Sequence, residues 1–114
     1  MTLQEIVDQL GMKLLSGSSN LSAEVSGGYV SDLLSDVMAN AKAGDIWVTL
    51  QTHQNIVAVA SLKEIAGIVL IGGREPDKGT LAKAEEEKIP LLLSNLPAFE
   101  VVGKLYQMGI SGKR

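Results

Sequence analysis

Apolar positions change their spacing several times along the chain, and each change marks a predicted element. Leu3, Ile6, Val7 and Leu10 recur at helical spacing. Thr2 with Glu5 three residues later fits a capping box, and Gly11 can close the helix. Met12 to Leu15 predicts a short strand, and Ser16-Gly17-Ser18-Ser19-Asn20 a surface turn. Ala23 to Val25 predicts a second brief strand, ending at Gly27-Gly28. From Ser31 the helical period returns, with Leu33, Leu34, Val37, Met38 and Ala41 on one side and Asp32, Ser35, Asp36 and Asn40 on the other. Gly44-Asp45 ends that helix. Ile46-Trp47-Val48-Thr49-Leu50 is β-branched and aromatic, which predicts a strand.

The second half alternates regularly. Thr52 can cap a helix running to Ala60 or Leu62, and Ala66 to Ile71 is a continuous apolar run stopped by Gly72-Gly73. Thr80 can cap a charged helix through Lys88, Ile89 to Leu93 supplies a further strand, and Pro97 opens a last helix through Met108 with Gly109 behind it. Strands alternating with helices over short connections imply parallel strands joined by right-handed crossovers. The unbroken apolar runs at 66–71 and 91–93 predict strands covered on both faces. The expected fold is a single α/β domain over residues 1–114, a mostly parallel β-sheet flanked by helices.

Composition narrows the function more than the fold. The chain has 114 residues, and ten Lys plus Arg against thirteen Asp plus Glu leave a net charge of −3. Nothing concentrates positive charge enough to hold a nucleic-acid backbone. The absence of cysteine excludes disulfides, thiolate metal sites and a cysteine nucleophile, and one His makes a closed zinc site from this chain untenable. Acids stand where a secretory signal carries bases, and the apolar runs at 56–60 and 66–73 are too short to span a bilayer. A cytoplasmic protein is expected, without a membrane or nucleic-acid partner and without a cofactor or bound metal.

Three stretches carry candidate chemistry. Gly72-Gly73-Arg74 follows a predicted parallel strand, where ligands of open α/β sheets gather. Glycines there admit a ligand to the backbone and Arg74 can meet a carboxylate or phosphate, while the plainer reading is a tight strand exit with a solvated Arg. In Gly27-Gly28-Tyr29-Val30-Ser31-Asp32, Ser31 or Asp32 can cap the following helix and Tyr29 can stand over its N-terminus. Asp32 and Asp36, four apart, can hold Mg²⁺ or act as an acid–base pair, or simply form a solvated face. In Thr49-Leu50-Gln51-Thr52-His53-Gln54-Asn55, His53 is the one side chain that titrates near neutrality unaided. As a general base it needs Asp36 or Asp32 to orient it; otherwise it caps or bonds at the surface. No G-x-G-x-x-G, no P-loop and no G-x-S-x-G elbow occurs.

Ile68-Val69-Leu70-Ile71-Gly72-Gly73-Arg74-Glu75-Pro76, then Ala84-Glu85-Glu86-Glu87-Lys88-Ile89-Pro90-Leu91-Leu92, together with Gly27-Gly28-Tyr29 through Asp36, resemble the DRTGG domain. That domain is similar to the N-terminal, non-catalytic domain of HPr kinase/phosphorylase. The resemblance covers about residues 24–108, leaving 1–23 as an N-terminal helix and short strand. The family's Thr-Gly-Gly stands here as Ile71-Gly72-Gly73, and Thr52-His53 occupies the place of its Asp-Arg pair. Such domains occur attached to phosphotransacetylase, to CBS-domain pairs and alone, which implies a regulatory role. A serine-kinase activity is not implied, because positioning a γ-phosphoryl group needs a device such as the P-loop that this chain lacks.

The expected function is therefore a stand-alone regulatory module that senses a small anionic ligand or nucleotide, binds a protein partner, or does both, without catalysis. Its expected site is Gly72, Gly73 and Arg74 facing Thr52, His53 and Asn55, with Tyr29, Ser31 and Asp32 closing one side. Two alternatives stand beside it. One is a small enzyme using His53 with Asp36. The other is a structural protein dimerising through apolar surface left by the short N-terminal strands, since small α/β domains often form symmetric dimers.

Overall fold

A computed structural model describes residues 1–112. Helix α1 (Leu3–Leu10) carries the capping box in full: Thr2 Oγ1 accepts from the Glu5 N–H, Glu5 reaches back to the Thr2 N–H, and Gly11 closes the helix at φ +63°. Strand β1 (Lys13–Ser16) follows, then a single 3₁₀ turn at Ser18–Asn20. After it come β2 (Gly27–Val30), α2 (Leu34–Asn40), β3 (Asp45–Thr49), α3 (Asn55–Lys63), β4 (Gly67–Leu70), α4 (Lys78–Glu86), β5 (Leu91–Leu93) and α5 (Ala98–Gln107). The five strands make one sheet in the order β1-β5-β4-β3-β2, parallel except for β1, which runs antiparallel to β5.

Three local expectations need correction. The strand expected at Ala23–Val25 is not formed. Glu24 makes only an isolated bridge to Thr2, and the strand lies at Gly27–Val30 instead. Gly28 lies against Ile110 and Ile46 there, at distances where a Cβ would make ordinary contact. Thr52 does not cap α3, which begins at Asn55, whose N–H donates to His53 Nδ1. Thr80 caps nothing: it lies inside the first turn of α4, fully buried, while Asp77 holds the cap position.

The winding explains the layers. From β2 to β5 each parallel strand lies beside its predecessor, so three crossovers of one hand put α2, α3 and α4 on the same face. There Val37, Ile56, Val57, Ala60 and Ala84 pack with Trp47, Ile68, Leu70 and Leu91. On the other face Leu3, Ile6 and Val7 of α1 and Val101 and Leu105 of α5 pack with Ile46, Val48, Val69, Ile71 and Leu92. Residues of β3, β4 and β5 are buried throughout, as their unbroken apolar runs require. Trp47 is wholly buried, and its indole N–H donates to the Ser31 carbonyl at 2.9 Å, so it is core and not a stacking platform. No helix among the described residues is long and apolar enough to cross a membrane.

Candidate functional site at the carboxyl edge of the sheet

The parallel strands deliver four exits to one edge, and the first two are tied together by Asp32. Its Oδ1 accepts from Thr49 Oγ1 at 2.9 Å and from the Leu50 N–H at 2.7 Å, while Gln51 Nε2 donates to the Asp32 carbonyl at 2.8 Å. Asp32 is thus a clamp between the ends of β2 and β3 and not a helix cap. Ser31 Oγ accepts from the Leu33 N–H in a local turn, and α2 starts with no side-chain cap. Tyr29 does not stand over the helix N-terminus either. Its hydroxyl donates to Asp36 Oδ2 at 2.8 Å, and Asn40 donates to the other oxygen of the same carboxylate. These bonds hold Asp36 below the usual carboxylate range, with Tyr29 the largest cause, and push the Tyr29 phenol up. Asp32 and Asp36 therefore serve separate networks and do not form a carboxylate pair.

The crevice proper lies between β4 and β5. The chain leaves β4 toward α4 on one face and leaves β5 toward α5 on the other, the divergence at which open α/β sheets make room for ligands. Gly72 and Gly73 follow β4 at φ +64° and +69°, a conformation that side chains rarely adopt. Their N–H groups donate to the carbonyls of Leu96 and Ser94, stapling the two exits together. Those N–H groups are thus already used and do not cradle an anion. What the glycines leave is an open Cα surface: a Cβ at Gly72 would meet nothing within 4 Å, and one at Gly73 only the Asn95 side-chain oxygen at 3.2 Å.

Arg74 comes next, exposed, with one guanidinium hydrogen bond, 3.3 Å to the Leu50 carbonyl, and no acidic partner among the described residues. That bond leans it from the β4 exit toward the β3 exit, where Thr52, His53 and Asn55 follow. His53 and Asn55 are exposed and Thr52 half-buried. The Thr52 carbonyl accepts from Thr80 Oγ1 at 2.6 Å and from the Asp77 N–H at 3.1 Å, which fixes the loop against α4. Between them opens a polar hollow of about 230 Å³ lined by His53, Gln54, Asp77, Gly79 and Thr80. No hydrogen bond joins His53 to a carboxylate among the described residues; its Nδ1 accepts from the Asn55 N–H. The acid–base pairing with Asp36 that an enzyme would need is not assembled. Nor do three His, Asp or Glu side chains gather to hold a metal ion among those residues.

Gly72, Gly73, Arg74, Thr52, His53, Asn55 and Asp32 thus share one edge, whereas Tyr29 and Ser31 are spent on α2. Gln54, which the third stretch contains without a role, and Asn95, which the sequence reading leaves out, belong to this edge too. The rule that found His53, a polar residue just past a parallel strand, applies equally to Asn95 after β5.

The comparisons agree with this architecture. Among curated proteins none matches the chain. A solved structure with the same fold is the crystal structure of the CBS and DRTGG domains of the regulatory region of Clostridium perfringens pyrophosphatase, complexed with its activator diadenosine tetraphosphate. It superposes with a TM-score of 0.72 at 16% identity, covering 90% of this chain and 44% of that one, so the present chain spans less than half of its neighbour. The DRTGG domain profile matches residues 5–108, taking in α1 and β1 as well as the 24–108 stretch expected from motifs. The chain belongs to the DRTGG domain family.

Proposed function

We propose that the chain is a regulatory module that takes a small anionic ligand or a nucleotide at the carboxyl edge of its sheet and does no chemistry of its own. One observation carries the reading. Arg74 follows the β4 exit and presents an exposed guanidinium over the β3 exit, held by the Leu50 carbonyl, so its charge is available to a phosphate or carboxylate. The open surface at Gly72-Gly73 gives a flat group a place to lie, and Asn95, His53, Asn55 and Thr52 supply hydrogen bonds around it. Asp32 acts indirectly, holding the β3 exit in place. The activator bound to the pyrophosphatase regulatory region supports a nucleotide as the ligand class. The module acts as a homodimer and passes its state to a protein partner.

The test is a thermal melt against nucleotides, acyl phosphates and sugar phosphates, with and without Mg²⁺. A ligand at about 100 times its dissociation constant adds about 2.7 kcal/mol. For a domain of this size the midpoint then rises by roughly ten degrees. The shift vanishes in Arg74→Ala, while the unliganded midpoint stays put. A flat panel, or a shift indifferent to Arg74, overturns the reading.

A further inference from the structure

Leu14 and Leu15 of the first strand are half-buried, whereas Phe99, the most exposed large apolar side chain among the described residues, and Tyr106 stand on α5. Val101 and Leu105 face the sheet, and a second stripe, Phe99-Val102-Gly103-Tyr106 at i, i+3, i+4 and i+7, borders a groove beside β2, with Val102 half-buried against the core and Phe99, Gly103 and Tyr106 exposed. The chain holds four aromatic residues, one Phe, two Tyr and one Trp. Two of them are on this stripe, with Phe99 87% and Tyr106 68% exposed. Val30, on the edge strand β2 and 51% exposed, extends the stripe into an open apolar groove of about 720 Å³. An exposed sole Phe in such a groove is costly unless something covers it.

We propose that a second copy of this chain covers it, through an antiparallel packing of α5 on α5 about a two-fold axis at Val102 and Gly103. The stripe is self-complementary in that arrangement. A two-fold contact requires that whatever residue i meets on j, j meets on i. Reversing the helix sets Phe99 against Tyr106 of the other copy and Val102 against Gly103, each large group facing the right size of neighbour. Gly103 has no atom within 4 Å of where a Cβ would stand, so it lets the two helices approach closely at the axis. Along the solvent side of the stripe, Glu100 and Lys104 lie on either side of the centre, so reversal also brings opposite charges together.

Extension of the sheet is a poorer fit for the same edge. The chain beyond α5 folds back along β2, where the Gly28 N–H donates to the Ser111 carbonyl at 3.2 Å, so the start of that strand is already covered. The area is modest but central. Two aromatic rings at these exposures bring roughly 250–350 Å² per protomer, against about 800 Å² in a standard interface, with Val30 and the rim adding to it. That predicts a dimer with a dissociation constant on the order of 1–100 μM rather than an obligate one.

Sedimentation equilibrium of the whole chain over about 10–300 μM tests this. The expected mass climbs toward twice 12.1 kDa. Phe99→Glu and Tyr106→Glu each weaken association by about 30-fold or more, with the midpoint of the dilute monomer unchanged because both side chains lie outside the core. Leu62→Glu, on α3 and 72% exposed, leaves association as it was. Because the chain has no cysteine, Gly103→Cys should cross-link into a dimer under mild oxidation while Ser61→Cys on α3 should not. A monomer throughout the range overturns the proposal and assigns the stripe to a different macromolecule. A dimer that survives Phe99→Glu, or that Gly103→Cys fails to cross-link, places the interface elsewhere. Neither result bears on the ligand site, which the Arg74→Ala melt tests separately.

Discussion

The hydroxyl of Thr80 donates a 2.6 Å hydrogen bond to the carbonyl of Thr52, joining the first turn of α4 to the loop that carries His53. Thr80 is fully buried, so the bond sits where water cannot replace it. Thr80→Val keeps the shape and loses the bond. Because the Asp77 N–H still reaches the same carbonyl, nothing is orphaned on that side. The expected loss is about 1 kcal/mol. A thermal melt should record it as a midpoint lower by roughly 3–6 degrees, and Thr80→Ser should recover most of the difference.

Asp32 matters through its oxygen and not its charge. Asp32→Ala strands the hydroxyl of Thr49, which is 1% exposed, and frees the Leu50 N–H. That should cost about 1–3 kcal/mol in urea unfolding. Asp32→Asn keeps an acceptor in the same place and should cost less than half as much. Equal losses in the two variants would show that the negative charge is what counts.

Two left-handed glycines should lose very different amounts of stability with alanine. At Gly11, φ +63°, a Cβ has nothing within 4 Å, and Gly11→Ala should cost only the backbone strain of about 1 kcal/mol. At Gly17, φ +76°, a Cβ would fall 2.4 Å from Pro90 N and 2.5 Å from Ile89 C, both backbone atoms. Gly17→Ala must push β1 away from the entry to β5 and should cost about 3 kcal/mol or more. Comparable melts for the two variants would contradict the packing described.

The Tyr29–Asp36 bond sets a pH window. Asp36 is held below its ordinary value of 3.8, first by Tyr29, so its contribution is present above that value and is lost as the pH falls through the lower folded one. Tyr29 is raised above 10.0, first by Asp36, so its contribution is present below that value and is lost as the pH rises through the higher folded one. Asp36→Asn should flatten the acid limb of stability against pH and weaken the alkaline one, and Tyr29→Phe should flatten both limbs. Unchanged limbs in Tyr29→Phe would assign them to other groups.

The alternation of strands and helices after Ser31 was legible because burial on both faces writes a continuous apolar run, as at 66–71. What escaped was non-local. Gly27-Gly28 reads as a stop because glycine weakens an isolated strand, yet here both residues pair with Asp45 and Ile46 of β3. Thr80 looked like a cap because its type favours caps, and only the position of the Thr52 carbonyl in space shows otherwise. That Thr52, His53, Gly72 and Gly73 lie just past β3 and β4 follows from topology alone, whereas the use of the Gly72 and Gly73 N–H groups depends on where β5 ends. The outer stripe of α5 is readable at i, i+3, i+4 and i+7, but Pro97 and Gly109, which mark the helix, say nothing of which face it leaves exposed.

The one-way succession from β2 to β5 also bears on how the chain reaches its native state. Each of those strands finds its partner one helix away in sequence, so that half can grow as a ladder, rung by rung, at little loop-closure cost. Strand β1 has no such neighbour: Lys13 must find Leu93 from the far end of the chain. The expected order is a ladder that forms early and an N-terminal unit that docks last and opens first, giving the amides of β1 the earliest exchange with solvent in an otherwise closed sheet.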